Sequence, residues 1–166
     1  MPFRLAPADL SLMRSASHGF DLSHDYDAPP EVVHRSFLGF VGEPPWSPGF
    51  RGVDWWTPKG KLDGAVMDEL YTFMTMRVHV VEHDPSTRSV AYVSRWSLPL
   101  ATRMVQLVET SVLPNGRTRL RYRIAYTPPA IFRPLVFPVQ WAFTQWFRVS
   151  LRNLATLLER GGGRAS

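Results

Sequence analysis

The spacing of hydrophobic positions changes in the middle of residues 18–40, from an alternating pattern to a helical one. From Phe20 to Tyr26 every second residue is apolar, aromatic or, once, a histidine, and the residues between are polar. This alternation predicts a half-buried strand over about residues 18–26. Asp27 and the Pro29-Pro30 pair then favour the start of a helix, predicted over about residues 29–40.

A run of further strands is predicted between this helix and residue 126. The approximate ranges are 63–71, 73–83, 89–98, 102–113 and 117–126. Residues 41–60 are rich in Pro, Gly and Trp and predict a loop with one short strand near Val53–Trp56. Residues 1–16 are predicted to form an N-terminal extension with at most partial order.

Asn115-Gly116 is a hairpin signal for which two registers compete. A two-residue loop pairs Glu109 with Tyr122 and turns the carboxylate toward the interior. A three-residue loop beginning at Pro114 pairs Glu109 with Arg121 on the outer face. We favour the second register because it keeps the charge in water.

Residues 131–159 predict one long helix, with Pro134 and Pro138 near its start. Helical spacing aligns one apolar stripe, formed by Phe143, Phe147, Leu151, Leu154 and Leu158. A basic amphipathic membrane helix, using Arg148, Arg152 and Arg160, is the competing interpretation. It is disfavoured because the strands need this stripe to bury their own apolar face.

The order of certain segments resembles that in the START-like or Bet v 1-like superfamily, which includes polyketide cyclase and lipid-transfer proteins. The segments are D-A-P-P-E-V-V at 27–33, E-H-D-P at 82–85, N-G-R-T-R-L at 115–120 and the terminal helix. The resemblance implies an α+β helix-grip fold, with a curved seven-stranded antiparallel sheet wrapped around the C-terminal helix. It also implies a cavity for lipophilic molecules between sheet and helix. The superfamily has no shared catalytic motif, so the resemblance implies no catalytic residue.

This interpretation divides the chain into an extension at 1–16, a START-like domain at 17–160 and a flexible tail at 161–166. The chain has 166 residues, which fits one domain. It has no cysteine, and neither a secretory signal nor a membrane-spanning segment is evident, so a cytoplasmic location is predicted. No cofactor is predicted, and the oligomeric state stays open.

The net charge is +5, yet the basic residues are scattered along the chain. Arg119, Arg121 and Arg123 have strand spacing and predict a solvated sheet face. That pattern argues against nucleic-acid binding, because no base-reading module accompanies it.

Residues 79–83 match H-x-x-E-H, an inverted zinc-protease motif that requires a helix. Here the residues belong to a strand pattern, in which His79 and His83 would lie about 13 Å apart. One zinc ion cannot bind both at that distance, so no metal site is predicted.

The inward-facing parity of each strand, together with the helix stripe, defines a candidate ligand site. Its predicted residues are Leu22, His24, Met76, Tyr92, Trp96, Gln106, Tyr122, Ile124, Phe143 and Phe147. His24, Gln106 and Tyr122 are the predicted polar contacts. His24 is either a proton-transfer or ligand-binding group inside the cavity, or a satisfied histidine in the core or at the rim. Trp46, Trp55 and Trp56 either cover the cavity mouth or plug the edge of the core.

The sequence therefore predicts binding or transport of a lipophilic small molecule in an internal cavity. One alternative is a polyketide aromatase or cyclase in which His24 and Tyr122 transfer protons. Another is a module that recognises an acidic partner surface through the arginines at 119, 121 and 123.

Overall fold

The computed structural model describes residues 2–38, 46–59 and 61–162, which form an antiparallel sheet packed on one long helix. The strands are β1 (Phe3–Arg4), β2 (His18–Tyr26), β3 (Phe50–Trp55), β4 (Val66–Tyr71), β5 (Thr75–Asp84), β6 (Arg88–Trp96), β7 (Arg103–Val112) and β8 (Thr118–Thr127). The helices are α1 (Leu12–Ser15), α2 (Pro30–Leu38) and α3 (Val136–Gly162), with a 3₁₀ helix at Ala130–Leu135. The last two residues of the predicted first helix, most of the tail and part of the loop at 41–60 lie outside the described residues.

Seven strands form a continuous sheet in the order β2-β8-β7-β6-β5-β4-β3. The chain enters at one edge with β2, and α2 follows directly, as predicted. The chain then returns through β3 at the opposite edge and meanders back to β8 beside β2. This is the predicted helix-grip arrangement.

The long helix α3 packs across one face of the sheet, which we call the inner face. Phe147, Leu151 and Leu154 from the predicted stripe are 5%, 2% and 0% exposed. The Tyr26 hydroxyl on β2 donates a hydrogen bond to the Leu151 carbonyl at 3.2 Å. Sheet and helix thus bury each other's apolar surface, which is the main source of stability here. Among the described residues, no helix is both long and apolar enough to span a membrane.

The β7–β8 hairpin has the three-residue register that we favoured. Glu109 pairs with Arg121, and the Leu113 amide donates to the Arg117 carbonyl to close the loop. Gly116 has a φ of 81°, a conformation that glycine adopts without steric cost. Glu109 accordingly lies on the outer face, where it pairs with Arg123 at 2.7 Å.

The arginines of β8 also follow the predicted phase. Arg119 and Arg121 are exposed, Arg123 is half-buried, and Tyr122 between them is only 4% exposed. Arg119 binds Asp25 at 2.7 Å, and Arg121 binds Asp21. These carboxylates on β2 and β7 compensate the arginine charges, which weakens the case for an acidic partner at this surface.

The N-terminal segment is more ordered than its sequence predicts. β1 pairs with the end of β6, where Phe3 lies opposite Trp96. Leu12 of α1 is 2% exposed and belongs to an outer-face cluster that includes Val90, Val105, Leu107 and Ala125. This segment covers apolar side chains that β6, β7 and β8 present on the face opposite α3.

Two bulges interrupt the pairing of β5 with β6. One leaves Ser94 extra on β6, because Arg77 pairs with Arg95 while Val78 pairs with Val93. The other leaves Val81 extra on β5. Each extra residue exchanges the two faces for the residues beyond it, so the alternation in sequence does not predict which side chains point inward.

Candidate functional site

Two cavities lie between the inner face of the sheet and the helices. The polar cavity, beneath α2, has about 70 Å³ of free volume. The apolar cavity, beneath the 3₁₀ helix and the start of α3, has about 40 Å³. Phe147 and Gln106 line both, so these two side chains form part of the partition between them.

Glu69 and Tyr71 of β4 point into the polar cavity. Glu69 is 7% exposed, and the Tyr71 hydroxyl donates a hydrogen bond to its Oε2 at 3.3 Å. Burial raises the pKa of the Glu69 carboxyl to about 7, and the tyrosine hydrogen bond opposes this shift only in part. This carboxyl therefore has a pKa near neutrality inside the polar cavity, whose walls are otherwise mostly aromatic and aliphatic.

Tyr122 of β8 lines the same cavity. Its hydroxyl donates to Gln106 Oε1 at 3.2 Å, so its orientation is held by a neighbouring strand. Burial, and then the nearby Glu69 charge, raise the pKa of Tyr122 well above its ordinary value. The phenol stays protonated and is a hydrogen-bond donor at neutral pH.

His83 and Ser89 form another part of the polar cavity's wall, and Ser89 joins His83 to a second histidine behind it. His83 Nδ1 lies 2.7 Å from Ser89 Oγ, which lies 3.1 Å from Nε2 of the fully buried His34. Burial lowers the pKa of both imidazoles, which favours their neutral forms. A neutral imidazole on the cavity wall can accept or donate one proton, depending on its tautomer.

The apolar cavity is lined by Trp96, Phe143 and other large apolar side chains, with Gln140 at its edge. Gln140 Nε2 donates to the Gly19 carbonyl at 2.6 Å and so connects α3 to β2. A Cβ at Gly19 would lie 2.2 Å from the Ile124 carbonyl oxygen, so only glycine allows this approach of β2 to β8.

Seven of the ten predicted site residues surround these cavities. Met76, Trp96, Ile124 and Phe143 line the apolar cavity, Tyr122 lines the polar one, and Gln106 and Phe147 line both. Their contact with a ligand stays a prediction.

Leu22, His24 and Tyr92 lie elsewhere, and the prediction that they line the cavity is corrected here. Leu22 and His24 face inward on the edge strand β2, but α3 lies directly over them. They border an open groove with Arg148 and Arg152 instead. Tyr92 is on the outer face, stacked on His79 at 4.6 Å, because the bulge at Ser94 reverses the parity between it and Trp96.

Of the three tryptophans at 46, 55 and 56, one lines the polar cavity, one packs against the core and one fits neither interpretation. Trp46 stacks on Phe37 at 4.7 Å and lines the polar cavity. Trp55 is partly buried against the core. Trp56 is 62% exposed on the outer face, where the Arg77 guanidinium lies 3.8 Å above its ring.

The H-x-x-E-H residues lie on β5, as predicted. His79 is on the outer face, hydrogen-bonded to Ser94, and the bulge at Val81 turns His83 to the inner face. Within the described part of the chain, no three histidine or acidic side chains are close enough together to hold a metal ion.

Sequence reasoning missed Glu69, Tyr71 and the histidine pair. A signal existed, since Met67, Glu69 and Tyr71 share one strand parity. The other parity carries Val66 and Leu70, so both faces of β4 contain apolar residues. The alternation therefore does not predict which face of β4 points inward. The alternation of β5 does not predict that His83 points inward, because the bulge leaves no recognisable pattern in the sequence.

Comparison with solved structures finds the same fold in proteins of low sequence identity. The Zhui aromatase/cyclase from a Streptomyces species superposes with a TM-score of 0.70 at 13% identity, over 86% of this chain and 94% of that one. The di-domain protein BexL gives 0.69 at 17% identity, over 86% and 46%. Ara h 8.0201 gives 0.66 at 13% identity, over 86% and 98%. No curated protein sequence matches this chain significantly.

The family model described as "Polyketide cyclase / dehydrase and lipid transport" matches residues 17–159. That range includes β2 through most of α3 and both cavities. The chain belongs to the polyketide cyclase/dehydrase and lipid transport family.

Proposed function

We propose that this protein binds a lipophilic small molecule between the sheet and α3, with a polar group of the ligand near Glu69. The observation that carries the proposal is the pair of cavities separated by Phe147 and Gln106, one apolar and one with a convergent polar set. Binding sites for small molecules combine such apolar walls with a few polar groups that set orientation.

The free volumes of about 70 and 40 Å³ limit what can enter without a change in side-chain conformation. Sites for drug-sized ligands usually measure about 300 to 1,000 Å³. A larger ligand must therefore displace aromatic side chains, and Phe147 is the first to move because it lies between the two spaces. The ligand gains apolar burial in exchange for the ring contacts that Phe147 makes with Phe20 and Tyr122.

Titration with a hydrophobic fluorescent probe tests the proposal. The native protein should bind the probe, and Phe147→Trp should weaken binding by filling the partition. Phe3→Trp, at an exposed position on β1, is the control and should bind as the native protein does. Absence of saturable binding, or equal affinity in the Phe147→Trp protein, would contradict the proposal. Native mass spectrometry of freshly purified protein is an independent search for a bound molecule.

A second candidate function is proton transfer on such a ligand, as in an aromatase or cyclase. It is favoured by Glu69, whose pKa of about 7 suits a general acid or base at neutral pH. Tyr122 would donate its single hydroxyl proton to a carbonyl oxygen of the ligand in place of Gln106 Oε1. His24 borders the open groove with Arg148 and Arg152 and lines neither cavity, which disfavours it for this role.

Glu69→Gln separates the two functions, because it removes the titratable group and keeps the shape of the side chain. If the protein is an enzyme, the variant should lose turnover of a bound candidate substrate and retain its affinity for the fluorescent probe. His24→Ala is the control and should leave turnover unchanged. Unchanged turnover in Glu69→Gln would exclude the carboxyl as the proton-transfer group.

A cytoplasmic location is proposed from the absence of cysteine in this sequence. Fractionation of the producing cells would test it.

A further inference from the structure

Large apolar side chains are exposed together around the start of α3. Ile131, Leu135, Phe137 and Trp141 are 80%, 51%, 84% and 68% exposed, and we call these four residues the 131–141 patch. Phe137 and Trp141 are four residues apart on α3 and so lie on the same side of the helix. A folded protein rarely leaves such a group of side chains in water unless it contacts another molecule or a membrane.

The charge around the patch is basic. Arg133 lies within it, and Arg148 and Arg152 are exposed further along α3. No aspartate or glutamate occurs between Thr127 and Leu158. The loops at 72–74 and 97–102, which reach the same end of the sheet through Met74 and Leu100, have no acidic residue either.

We propose that the 131–141 patch docks on anionic lipid membranes. Phe137 and Trp141 would enter the region between headgroups and acyl chains, where aromatic side chains are favoured, while the arginines attract anionic headgroups. The buried stripe of α3 stays on the sheet, so docking uses a different, exposed side of this helix and does not require the amphipathic membrane helix that the sequence disfavours. A symmetric dimer through the patch is disfavoured, because it would bring Arg133 of both copies together.

The position of the patch beside a cavity agrees with docking. Leu135 is half exposed and also lines the apolar cavity, together with Phe132 of the same 3₁₀ helix. A protein molecule docked on a membrane would thus present the outer wall of its apolar cavity to the lipid. Transfer of a ligand along this route rests on the ligand binding proposed above, whereas docking itself does not.

The absence of cysteine allows a direct test by labelling one position. Phe137→Cys carries an environment-sensitive fluorophore at the patch, and Phe3→Cys carries it at an exposed aromatic position on the sheet edge. With phosphatidylcholine vesicles containing phosphatidylglycerol, the label at 137 should shift to the blue and the label at 3 should not. Added salt should reduce the shift, because it screens the arginines. Equal responses at both positions, or none, would overturn the proposal.

Sedimentation of unlabelled protein with the same vesicles measures docking without a probe. The double variant Phe137→Ala with Trp141→Ala should lose about tenfold or more in partitioning, since two aromatic side chains no longer bury apolar area. Both positions are exposed, so the variant should fold, which circular dichroism checks. It should still bind the soluble hydrophobic probe, so that loss of docking is distinguished from loss of the ligand site. Unchanged sedimentation of the double variant would contradict docking through the patch. Self-association without vesicles that the double variant abolishes would indicate that the patch binds a second copy of the chain and not a membrane.

Discussion

At the scale of single residues, Glu69 shows how the site differs from a simple apolar core. A carboxyl group inside a protein is costly unless it is paired with a positive charge or stays neutral. Tyr71 supplies one hydrogen bond to Glu69, and burial raises the pKa of the carboxyl to about 7. The protein thus holds near neutrality a group that usually ionises at much lower pH, and this makes both stability and ligand binding dependent on pH.

Glu69→Gln should change how the free energy of unfolding depends on pH. The pKa is raised from 4.5 to about 7, so the native state retains a proton that the unfolded state has lost. The stability that protonated Glu69 contributes should therefore be full below pH 4.5 and be lost as the pH rises toward 7, a loss of roughly 3 kcal/mol. The variant should lack this decrease and be the more stable protein at pH 8.

Urea unfolding at several pH values measures this difference. Val112→Ala, at an exposed and uncharged position on β7, is the control and should keep the native pH dependence. If Glu69→Gln destabilised the protein equally at all pH values, the raised pKa would be disproved.

At the scale of elements, turns and short segments have specific steric and packing requirements. The β7–β8 hairpin needs a positive φ at Gly116, and the outer face of the sheet needs the cover that α1 provides. The first requirement, the positive φ in the turn, can be predicted from the local sequence Asn115-Gly116. The second depends on side chains from β6, β7 and β8, which are distant from α1 along the chain.

Gly116→Ala should lower the free energy of unfolding by about 1 kcal/mol, because a Cβ is unfavourable at a φ of 81°. Gly116→Asn should cost less, since asparagine tolerates this conformation better. Thermal or urea unfolding compares the two variants. An alanine variant as stable as the native protein would show that the loop changes its conformation.

Leu12→Ala should destabilise the protein by about 2 to 3 kcal/mol, because Leu12 is 2% exposed against the outer face. Arg14→Ala, on the exposed side of α1, should have little effect. Urea unfolding measures both. Equal stabilities would mean that α1 contributes no packing energy to the sheet.

At the scale of the whole molecule, aromatic side chains fill most of the space that a helix-grip fold encloses. Phe147 contacts Phe20, Tyr122 and Trp146, with ring centroids 5.2, 5.0 and 4.6 Å apart. The chain has 10 phenylalanines and 6 tryptophans, and many of them converge on this interior. The native state is well packed without a ligand, and a ligand would have to exchange one set of contacts for another.

A molecule that binds the native interior should raise the midpoint of thermal unfolding. At a free concentration of about 100 times its Kd, the gain is about 2.7 kcal/mol, or several degrees in Tm. Differential scanning calorimetry with a series of aromatic lipophilic compounds measures this gain. A compound that binds the outer surface of the protein should show no difference between native and Phe147→Trp proteins.

Most of the architecture follows from local sequence patterns. The alternation at 18–26, the prolines before α2, the hairpin at Asn115-Gly116 and the stripe of α3 are local patterns with direct steric or packing causes. They were sufficient for the element order, the strand register of β7 with β8 and the packing of the terminal helix on the sheet. Five strand residues at the cavities are predicted because the parity of a regular strand defines its inner face, and Phe143 and Phe147 because helical spacing aligns them in one stripe.

Which polar groups meet at the cavity depends on tertiary contacts. Two bulges on β5 and β6 turn His83 inward and Tyr92 outward, and His24 borders an open groove beside α3 instead of the cavities. Glu69 reaches the interior because β4 pairs with β5 in a register that its own mixed alternation does not specify. The bulges, and the position of α3 relative to the edge strand β2, arise from contacts between residues far apart in sequence. No local pattern along the chain therefore predicts them.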